Sequence, residues 1–520
     1  MLHCLNGKSK KDVRILFVNP CLRKNGNTKL LPVGLGYIMT YFRQNGYKFS
    51  LLDIDINEYS DSYIENYISK NEYDFVLLGT IVTHYKWVKW FVNMTKNQKP
   101  QTNVIVGNSV AGSIPEIFFD HTKCDVAVIG EGEITAFEAV EAIRLDKKLE
   151  NVEGIAFKDV NGKFIQNPPR KASMIDDLPM IEWDFFDVEK YIKKSATYYP
   201  GSKTRRMRSM PVATARGCAF KCTFCHYVFW NDPYRNRSPE NILLEVKRNS
   251  EKYNANYMQF WDDLSFASAK QAERLADAII KSGLKFYWNA SVRVDLFSRS
   301  KLSDERKLEV AEKMKKSGCL SVGFSLESGN KEILKMMNKE IEAEAFADTI
   351  NAFKKAGIVT NTSVVFGYPI ETSETIKETF DQCLKAKVYP SIGFLLPLPY
   401  TAMYDYAKAN GFITDEDKYL DSITERQDIC MNMTKMSDSE IMDGIKIGAK
   451  QLNEMLQLHL TEATYIRTKR YQNDAGMGLP DSKSKKKLPL DPDNIKRNEN
   501  DVSFNYSETE FEIDAGEIAA

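Results

Sequence analysis

Residues 215–226 read ARGCAFKCTFCH and place three cysteines, Cys218, Cys222 and Cys225, within eight positions. They directly follow a short apolar segment at 211–215 that is typical of a buried strand. Sulfur ligands suit iron–sulfur clusters, and three thiolates so close together can surround one cubane cluster. Three protein ligands leave the fourth iron open to chelate the amino and carboxylate groups of a small molecule.

A structural zinc site is the main alternative for this segment. Zinc normally takes four protein ligands, but the chain has no second Cys-x-x-Cys pair. His226 is adjacent to Cys225, which makes joint ligation of one ion awkward. Three incidental buried cysteines are a further alternative, and the position of the segment at a strand end argues against it. The pattern therefore favours a cluster.

Composition sets the context for this site. The chain has 520 residues and 71 basic and 71 acidic side chains, so its formal net charge is zero. No global field would attract nucleic acid or an anionic membrane. No apolar stretch reaches the roughly 20 residues of a spanning helix. We therefore expect a soluble, cytoplasmic protein of two or three domains.

Cysteine usage supports the same compartment. Of the nine cysteines, six are dispersed along the chain and three form the cluster at 218–225. In a long intracellular chain, one tight cluster indicates a metal site and not a disulfide framework.

Strand and helix candidates alternate through residues 206–430. The strand candidates are 211–215, 257–261, 286–290, 320–326, 360–366 and 391–396. Six such units predict a partial (β/α)6 TIM-like barrel, in which loops at the carboxyl ends of the strands carry the chemistry. The cysteines follow the first of these strands.

Residues 1–149 also alternate, with continuous apolar strands at 13–19, 48–53, 75–79, 103–107 and 126–130. Such runs fit parallel strands buried on both faces. The pattern predicts a Rossmann- or flavodoxin-like α/β domain, which binds ligands at the carboxyl ends of its strands. We interpret residues 150–205 as a linker containing a hairpin. We expect residues 431–472 to form a mainly helical C-terminal region and residues 473–520 to form a disordered or loosely attached tail.

The spacing Cys218-x3-Cys222-x2-Cys225, with Phe224 before the last cysteine and Arg216-Gly217 before the first, resembles the signature of the radical S-adenosylmethionine (SAM) superfamily. The resemblance covers about 205–430. It implies a 4Fe-4S cluster whose unique iron binds SAM, which is cleaved to a 5′-deoxyadenosyl radical.

Other strand ends resemble the cofactor-binding positions of that superfamily. Glu327, in the stretch FSLESG at 324–329, corresponds to a polar contact with the ribose and methionine of SAM, and Gly367 to a turn near the adenine. The implied cofactor-binding residues are Phe224, Asp262, Arg293, Glu327, Ser328, Gly367 and Pro397. Taken alone, Asp262 is equally interpreted as a loop cap and Gly367 as an ordinary turn residue.

The N-terminal domain resembles the cobalamin-binding domain found in one branch of that superfamily. The resemblance is carried by LPVGLGY at 31–37 and VIGEGE at 128–133, and small residues at other strand ends would let a corrin approach the backbone. The implied cobalamin contacts are Thr80, Gly107, Asn108, Gly130, Glu131 and Gly132.

One departure concerns the lower ligand of the cobalt. The Asp-x-His-x-x-Gly motif is absent, and the corresponding loop, NPCLRK at 19–24, contains no histidine. His84 is interpreted as an ordinary residue at a helix start. The alternative is therefore a domain that keeps the fold and has lost the cofactor.

The leading functional hypothesis is a cobalamin-dependent radical SAM methyltransferase that acts on an unactivated carbon or a phosphorus centre. Its expected partners are a small, natural-product-like substrate and an electron donor such as flavodoxin or ferredoxin. A second hypothesis is radical cyclisation, rearrangement or oxidation without methyl transfer. A third is a non-catalytic protein that binds cobalamin or a cluster.

Overall fold

A computed structural model describes residues 2–23, 26, 28–195, 197–200, 202, 204–225, 233–298, 302–424 and 426–461. Within these residues the chain forms a seven-stranded sheet, a six-stranded sheet and a two-stranded ribbon. None of the described helices is long and apolar enough to cross a membrane.

The first sheet contains seven strands in the order β2-β1-β3-β4-β5-β6-β7. They are β1 Ile15–Asn19, β2 Phe49–Asp53, β3 Phe75–Gly79, β4 Asn103–Gly107, β5 Val126–Val128, β6 Ile155–Lys158 and β7 Phe164–Gln166. β1 to β5 are parallel in the flavodoxin-like order, which confirms the predicted fold. Every residue of β1 is buried, as the continuous apolar run predicted.

The hairpin predicted within the linker is present but does not stand apart from the first domain. β6 pairs antiparallel with β5 through Val128 and Ile155, and β7 pairs with β6. The hairpin thus covers the open edge of the parallel sheet. This placement depends on long-range pairing and is not visible in the local sequence pattern.

Helices cover both faces of this sheet, and one helix lies in the linker. They are α1 Val33–Gln44, α2 Ile54–Asn57, α3 Asp61–Lys70, α4 Tyr85–Gln98, α5 Ser109–Gly112, α6 Pro115–His121, α7 Gly132–Arg144 and α8 Val188–Lys194. The linker docks tightly, since Trp183 is fully buried and Gly36 of α1 leaves room for Ile181.

The second sheet has six parallel strands, and the two-stranded ribbon leads into and out of the cysteine segment. The sheet strands are β8 Ser209–Val212, β11 Tyr257–Phe260, β12 Tyr287–Arg293, β13 Cys319–Glu327, β14 Val359–Phe366 and β15 Pro390–Phe394. The ribbon strands are β9 Ala215–Arg216 and β10 Arg235–Asn236. The sheet order β15-β14-β13-β12-β11-β8 is that of an open half-barrel, which confirms the predicted partial barrel. The first strand ends at Val212, earlier than predicted, and Ala215 belongs to the ribbon.

Helices follow the strands around the outside of the half-barrel and continue towards the C-terminus. They are α9 Pro239–Tyr253, α10 Ala269–Ser282, α11 Asp295–Ser298, α12 Asp304–Lys316, α13 Lys331–Met336, α14 Phe346–Lys355, α15 Ser373–Ala386, α16 Ala402–Ala409, α17 Glu416–Ser422 and α18 Asp438–Leu456. Within the described part of the C-terminal region, residues 431–461, α18 is the helix and short non-helical segments flank it. The predicted tail at 473–520, and residues 462–472, lie outside the described residues.

Candidate active site

The cysteine loop begins at a two-stranded ribbon. Arg216 of β9 pairs antiparallel with Arg235 of β10, so these two residues close the base of the loop. Gly217 has φ +83°, and a Cβ built there would lie 2.5 Å from the carbonyl oxygen of Pro233. Only glycine fits this position, and Cys218 comes directly after the turn that it makes.

The loop is held against the carboxyl ends of two other strands. The Thr223 amide donates to the carbonyl of Met337 (2.9 Å), and the Thr223 hydroxyl lies 3.1 Å from that of Tyr368. Met403 in turn donates its amide to the carbonyl of Thr223 at 3.1 Å. The Phe224 ring packs edge-on against Tyr368. The segment between Cys222 and Cys225 is therefore fixed from several sides.

All three cysteines of the loop are free thiols. Burial raises the pKa of each thiol above its ordinary value, although the charges of Lys339 and Arg293 oppose this rise at Cys222. The free loop thus carries neutral thiols, and metal binding would release their protons. In the part of the chain that the structure describes, no three His, Cys, Asp or Glu side chains converge on the position of a single metal ion. A cubane cluster distributes its ligands over several iron atoms and does not require such convergence.

Two buried cations lie beside Cys222. The Arg293 guanidinium is 3.7 Å from the Cys222 sulfur, stacks over the Phe220 ring, and is held by Asp295 at 2.9 Å. Lys339 forms a 2.9 Å ion pair with Glu327 and donates to the Ser325 hydroxyl. Arg293 was predicted from its strand end. Lys339 was not, because it follows a short helix and belongs to no recognisable pattern.

Glu327 ends β13 in an unusual backbone conformation. Its φ is +66°, in a region that few residues other than glycine adopt, and the register with β14 shifts between Ser325 and Glu327. The buried carboxylate accepts hydrogen bonds from Lys339 and, at 3.3 Å, from Ser363. Strain of this kind at a strand end is typical of functional sites.

Three other predicted residues serve the backbone around the site. Ser328 is buried and accepts a 3.1 Å hydrogen bond from the Asn330 amide. The Gly367 amide, at φ +96°, donates to Glu371 at 3.2 Å, and the Pro397 carbonyl accepts the hydroxyl of Tyr419 at 2.7 Å. These contacts shape the loops around the cysteines.

Asp262 binds the backbone that leads into the cysteine loop. Its carboxylate accepts the amides of Thr214 and Ala215 at 2.7 and 3.0 Å and also the Thr214 hydroxyl. The structure therefore agrees with the loop-cap interpretation of Asp262. Its neighbour Asp263 is exposed, and its charge acts on Cys218 and Cys225.

The N-terminal sheet presents small residues at its carboxyl edge. A Cβ on Gly79 would lie 3.3 Å from the backbone of Gly107, and one on Gly107 would lie 3.5 Å from Val128. Thr80 is buried just after β3, and Asn108 adopts φ 63° before α5. The predicted residues Thr80, Gly107 and Asn108 thus lie at neighbouring strand ends, where a doubly wound sheet binds ligands.

The turn after β5 faces the cysteine loop. Gly130 has φ +87°, and a Cβ on Gly132 would lie only 2.8 Å from Ile38. The Glu131 carboxylate forms ion pairs with Arg235 at 2.8 Å and Arg216 at 3.1 Å. Glu131, predicted as a corrin contact, therefore has its carboxylate engaged by the barrel.

The loop after β1 has no histidine, and local contacts occupy its start. Asn19 donates to Asp53 at 2.8 Å and to the Tyr191 hydroxyl at 3.0 Å. Burial raises the pKa of Asp53 to about 6. His84 lies in a short 3-10 turn before α4 and stacks on Trp87, in agreement with its interpretation as a helix-start residue.

The concave face of the half-barrel is lined by small polar side chains. Strand register aligns Arg293, Ser325, Ser363 and Ser391 in one row across β12 to β15. The next row comprises Ser291, Gly323 and Asn361. Closed eight-stranded barrels usually fill this space with bulky branched residues. Here the space is polar and open to water.

Comparison with protein families agrees with this geometry. Residues 212–383 match the model of the radical SAM superfamily, and residues 22–141 match that of the B12 binding domain. Residues 212–383 therefore form a radical SAM domain, and residues 22–141 form a B12-binding domain. The first type of domain uses a 4Fe-4S cluster and SAM, and the second uses cobalamin.

Three individual proteins illustrate the relationship. An uncharacterized methyltransferase of Pyrococcus horikoshii is 27% identical over 78% of this chain and 85% of its own length. An anaerobic magnesium-protoporphyrin IX monomethyl ester cyclase of Rubrivivax gelatinosus is 26% identical over 71% of this chain and 65% of its own length. The cobalamin-dependent SAM radical enzyme OxsB, solved with aqua-cobalamin and SAM, superposes with a TM-score of 0.62 and 18% identity over 82% of this chain. This chain covers 58% of OxsB, so that likeness concerns the shared fold.

Proposed function

We propose that this radical SAM enzyme transfers a methyl group to an unactivated carbon, or to a phosphorus centre, of a small molecule. The observation that carries the proposal is the direct contact between the base of the cysteine loop and the turn after β5 of the B12-binding domain. When bound, the reduced cluster supplies a 5′-deoxyadenosyl radical from SAM, and cobalamin supplies the methyl group. The contact supports the proposal, because it would bring the two cofactor sites close to each other.

Cys218, Cys222 and Cys225 would ligate three irons of the cluster. Gly217 gives the loop its turn, and the hydrogen bonds of Thr223 hold the loop in place. The fit rests on three thiol donors on one short loop beside two buried cations. Thiolate ligands and nearby positive charge both suit an anionic iron–sulfur cluster.

The charged residues next to the loop suit SAM. Arg293 and Lys339 would attract its carboxylate, and Glu327 would accept hydrogen bonds from its ammonium or hydroxyl groups. Phe224 and Gly367 would lie beside the nucleoside. Asp262, Ser328 and Pro397 would position these loops without touching SAM.

The carboxyl edge of the N-terminal sheet would hold cobalamin. Thr80, Gly107, Asn108, Gly130 and Gly132 offer close backbone approach at neighbouring strand ends. With no histidine in the loop after β1, we expect no lower ligand for the cobalt from residues 19–24.

The polar lining of the half-barrel bears on the substrate. Serine and asparagine side chains on adjacent strands can form hydrogen bonds with a small polar molecule. They therefore favour a polar substrate over a purely apolar one. We expect an electron donor such as flavodoxin or ferredoxin to reduce the cluster. We expect neither nucleic acid nor a membrane as a partner, and we place the reaction in the cytoplasm, where thiols stay reduced.

Radical cyclisation or oxidation without methyl transfer is the second candidate, and the similarity to the anaerobic cyclase favours it. A substrate-independent experiment separates the two. Anaerobically reconstituted protein is loaded with cobalamin, reduced, and given SAM, and both products are quantified.

Methyl transfer predicts about one S-adenosylhomocysteine per bound cobalamin, together with slow release of 5′-deoxyadenosine. If 5′-deoxyadenosine is the sole product, the methyl-transfer proposal is wrong and the second candidate is favoured. Protein without added cobalamin is the control and should give no S-adenosylhomocysteine.

A further inference from the structure

Four charged side chains join the N-terminal domain to the base of the cysteine loop. Glu131 caps α7 and Glu133 lies in its first turn, while Arg216 and Arg235 are the paired residues of the ribbon. We call these four residues the charge bridge. All four side chains are largely buried.

The geometry of the charge bridge is specific. Arg235 contacts both oxygens of Glu131, at 2.8 and 3.2 Å, which is the two-point arrangement that guanidinium and carboxylate groups favour. Arg216 reaches Glu131 at 3.1 Å and Glu133 at 2.6 Å. The Arg216 guanidinium also lies 4.7 Å above the Tyr37 ring of α1.

Charge pairing outweighs the effect of burial at Glu131. Although burial opposes it, the hydrogen bond from Arg235 and the charge of Arg216 hold the pKa of Glu131 below its usual value. Glu131 and Glu133 also lie at the positive end of the α7 dipole. The Glu131 carboxylate is therefore held in its charged form by the two arginines.

The position of the charge bridge relates it to the cluster. Arg216 is two residues before Cys218, and Arg235 closes the other end of the same loop. Both ends of the cysteine loop are thus fastened to one turn of the B12-binding domain. On the basis of the proposed function, we propose that Glu131 and Glu133 are positioning residues for the cluster loop and set its local charge.

The proposal predicts the sign of a redox effect. Replacing the carboxylates by amides leaves Arg216 and Arg235 with uncompensated positive charge near the cluster. A reduced cluster is more negative than an oxidised one, so positive charge favours reduction. The midpoint potential of the cluster should therefore shift upward.

The test compares anaerobically reconstituted wild-type protein with Glu131→Gln/Glu133→Gln. The midpoint potential is measured by a titration followed by electron paramagnetic resonance, and the spectrum of the reduced cluster is recorded with and without SAM. We expect an upward shift and a changed spectrum at wild-type iron content. Glu131→Asp, which keeps the charge, should lie closer to wild type.

Glu138→Gln is the matched control, because Glu138 lies on the same helix and pairs with Arg170 away from the ribbon. If the double variant has the same midpoint potential and the same electron paramagnetic resonance spectrum as Glu138→Gln, the proposal is overturned. Should the double variant not fold, Glu133→Gln decides, because it leaves the Glu131–Arg235 pair intact. It should shift the potential in the same direction by less, and no shift would overturn the proposal.

Failure of the proposed function gives a different result. A wild-type protein that assembles no cluster would refute the ligand assignment and this inference together. If the wild-type cluster assembles normally but the substitutions in the charge bridge leave its midpoint potential unchanged, the inference alone is refuted.

Discussion

Gly217 controls the entry of the chain into the cysteine loop. Its positive φ is tolerated by other residues at a cost of about 1–2 kcal/mol, but the space for a side chain is also missing. The carbonyl of Pro233 on the returning arm of the loop occupies it. Backbone crowding of this kind cannot be relieved by a change of rotamer.

We therefore expect Gly217→Ala to lose most of its cluster. The returning arm must move away from the ribbon, which separates the cysteines. Iron and sulfide analysis after anaerobic reconstitution measures the effect. Gly162→Ala is the control, because Gly162 also has a positive φ (+79°) but has no atom within 4 Å of the added Cβ. Full iron content in Gly217→Ala would show that the turn is dispensable.

Site residues that belong to a fixed local sequence pattern could be predicted from the sequence. Cys218, Cys222 and Cys225 could be predicted as cluster ligands because their spacing is itself the pattern. Lys339 was missed because only the folded chain brings it to Glu327. Glu131 was located at the correct strand end, but the arginines that engage it come from more than 80 residues away.

Among the helices, α15 and α18 make the closest approach in the half-barrel region. A Cβ on Gly448 of α18 would overlap the Phe380 ring of α15. One turn earlier, Gly444 faces Ile376, where a Cβ would make ordinary contacts at 3.4 to 3.8 Å. The C-terminal helix thus depends on one glycine for its packing and not on the other.

Opposite effects on stability should follow from these two positions. Gly444→Ala should stabilise the protein by up to about 1 kcal/mol, because alanine is the better helix former. Gly448→Ala should destabilise it by about 1–3 kcal/mol, because the overpacked ring cannot move freely. Denaturant unfolding of both variants measures the difference. Equal stabilisation by both would show that α18 does not pack on α15 in this way.

The two sheets show which features the local sequence pattern predicts and which it leaves undetermined. The strands of both sheets were predicted because their apolar runs are short and bounded by turn residues. The attachment of β6 and β7 to β5 was not, because an edge strand has no local signature of its neighbour. The first barrel strand was predicted too long because Ala215 continues the apolar run into the ribbon.

Among the described residues, ion pairs at two places join the B12-binding domain to the part of the chain that follows the linker. One is the charge bridge at the base of the cysteine loop. The other lies at α17, where Asp417 and Asp421 contact Lys89 of α4 at 2.9 and 2.7 Å. Tyr85 adds a 2.6 Å hydrogen bond to Asp417. α17, which follows the last strand of the half-barrel, thus contacts the B12-binding domain.

These contacts support the proposed function. Both fold types bind ligands at the carboxyl ends of their strands, and the charge bridge joins these two edges. The central claim is that Cys218, Cys222 and Cys225 hold the cluster that cleaves SAM there.

The most direct test is reductive SAM cleavage by anaerobically reconstituted wild-type protein and by the Cys218→Ala/Cys222→Ala/Cys225→Ala variant. Cys4→Ala serves as the control, because Cys4 is exposed and remote in sequence from the loop. We predict about four irons per chain and release of 5′-deoxyadenosine for wild type and control, and neither for the triple variant. A triple variant that holds a full cluster, or a wild-type cluster that releases no 5′-deoxyadenosine on reduction with SAM, would contradict the claim.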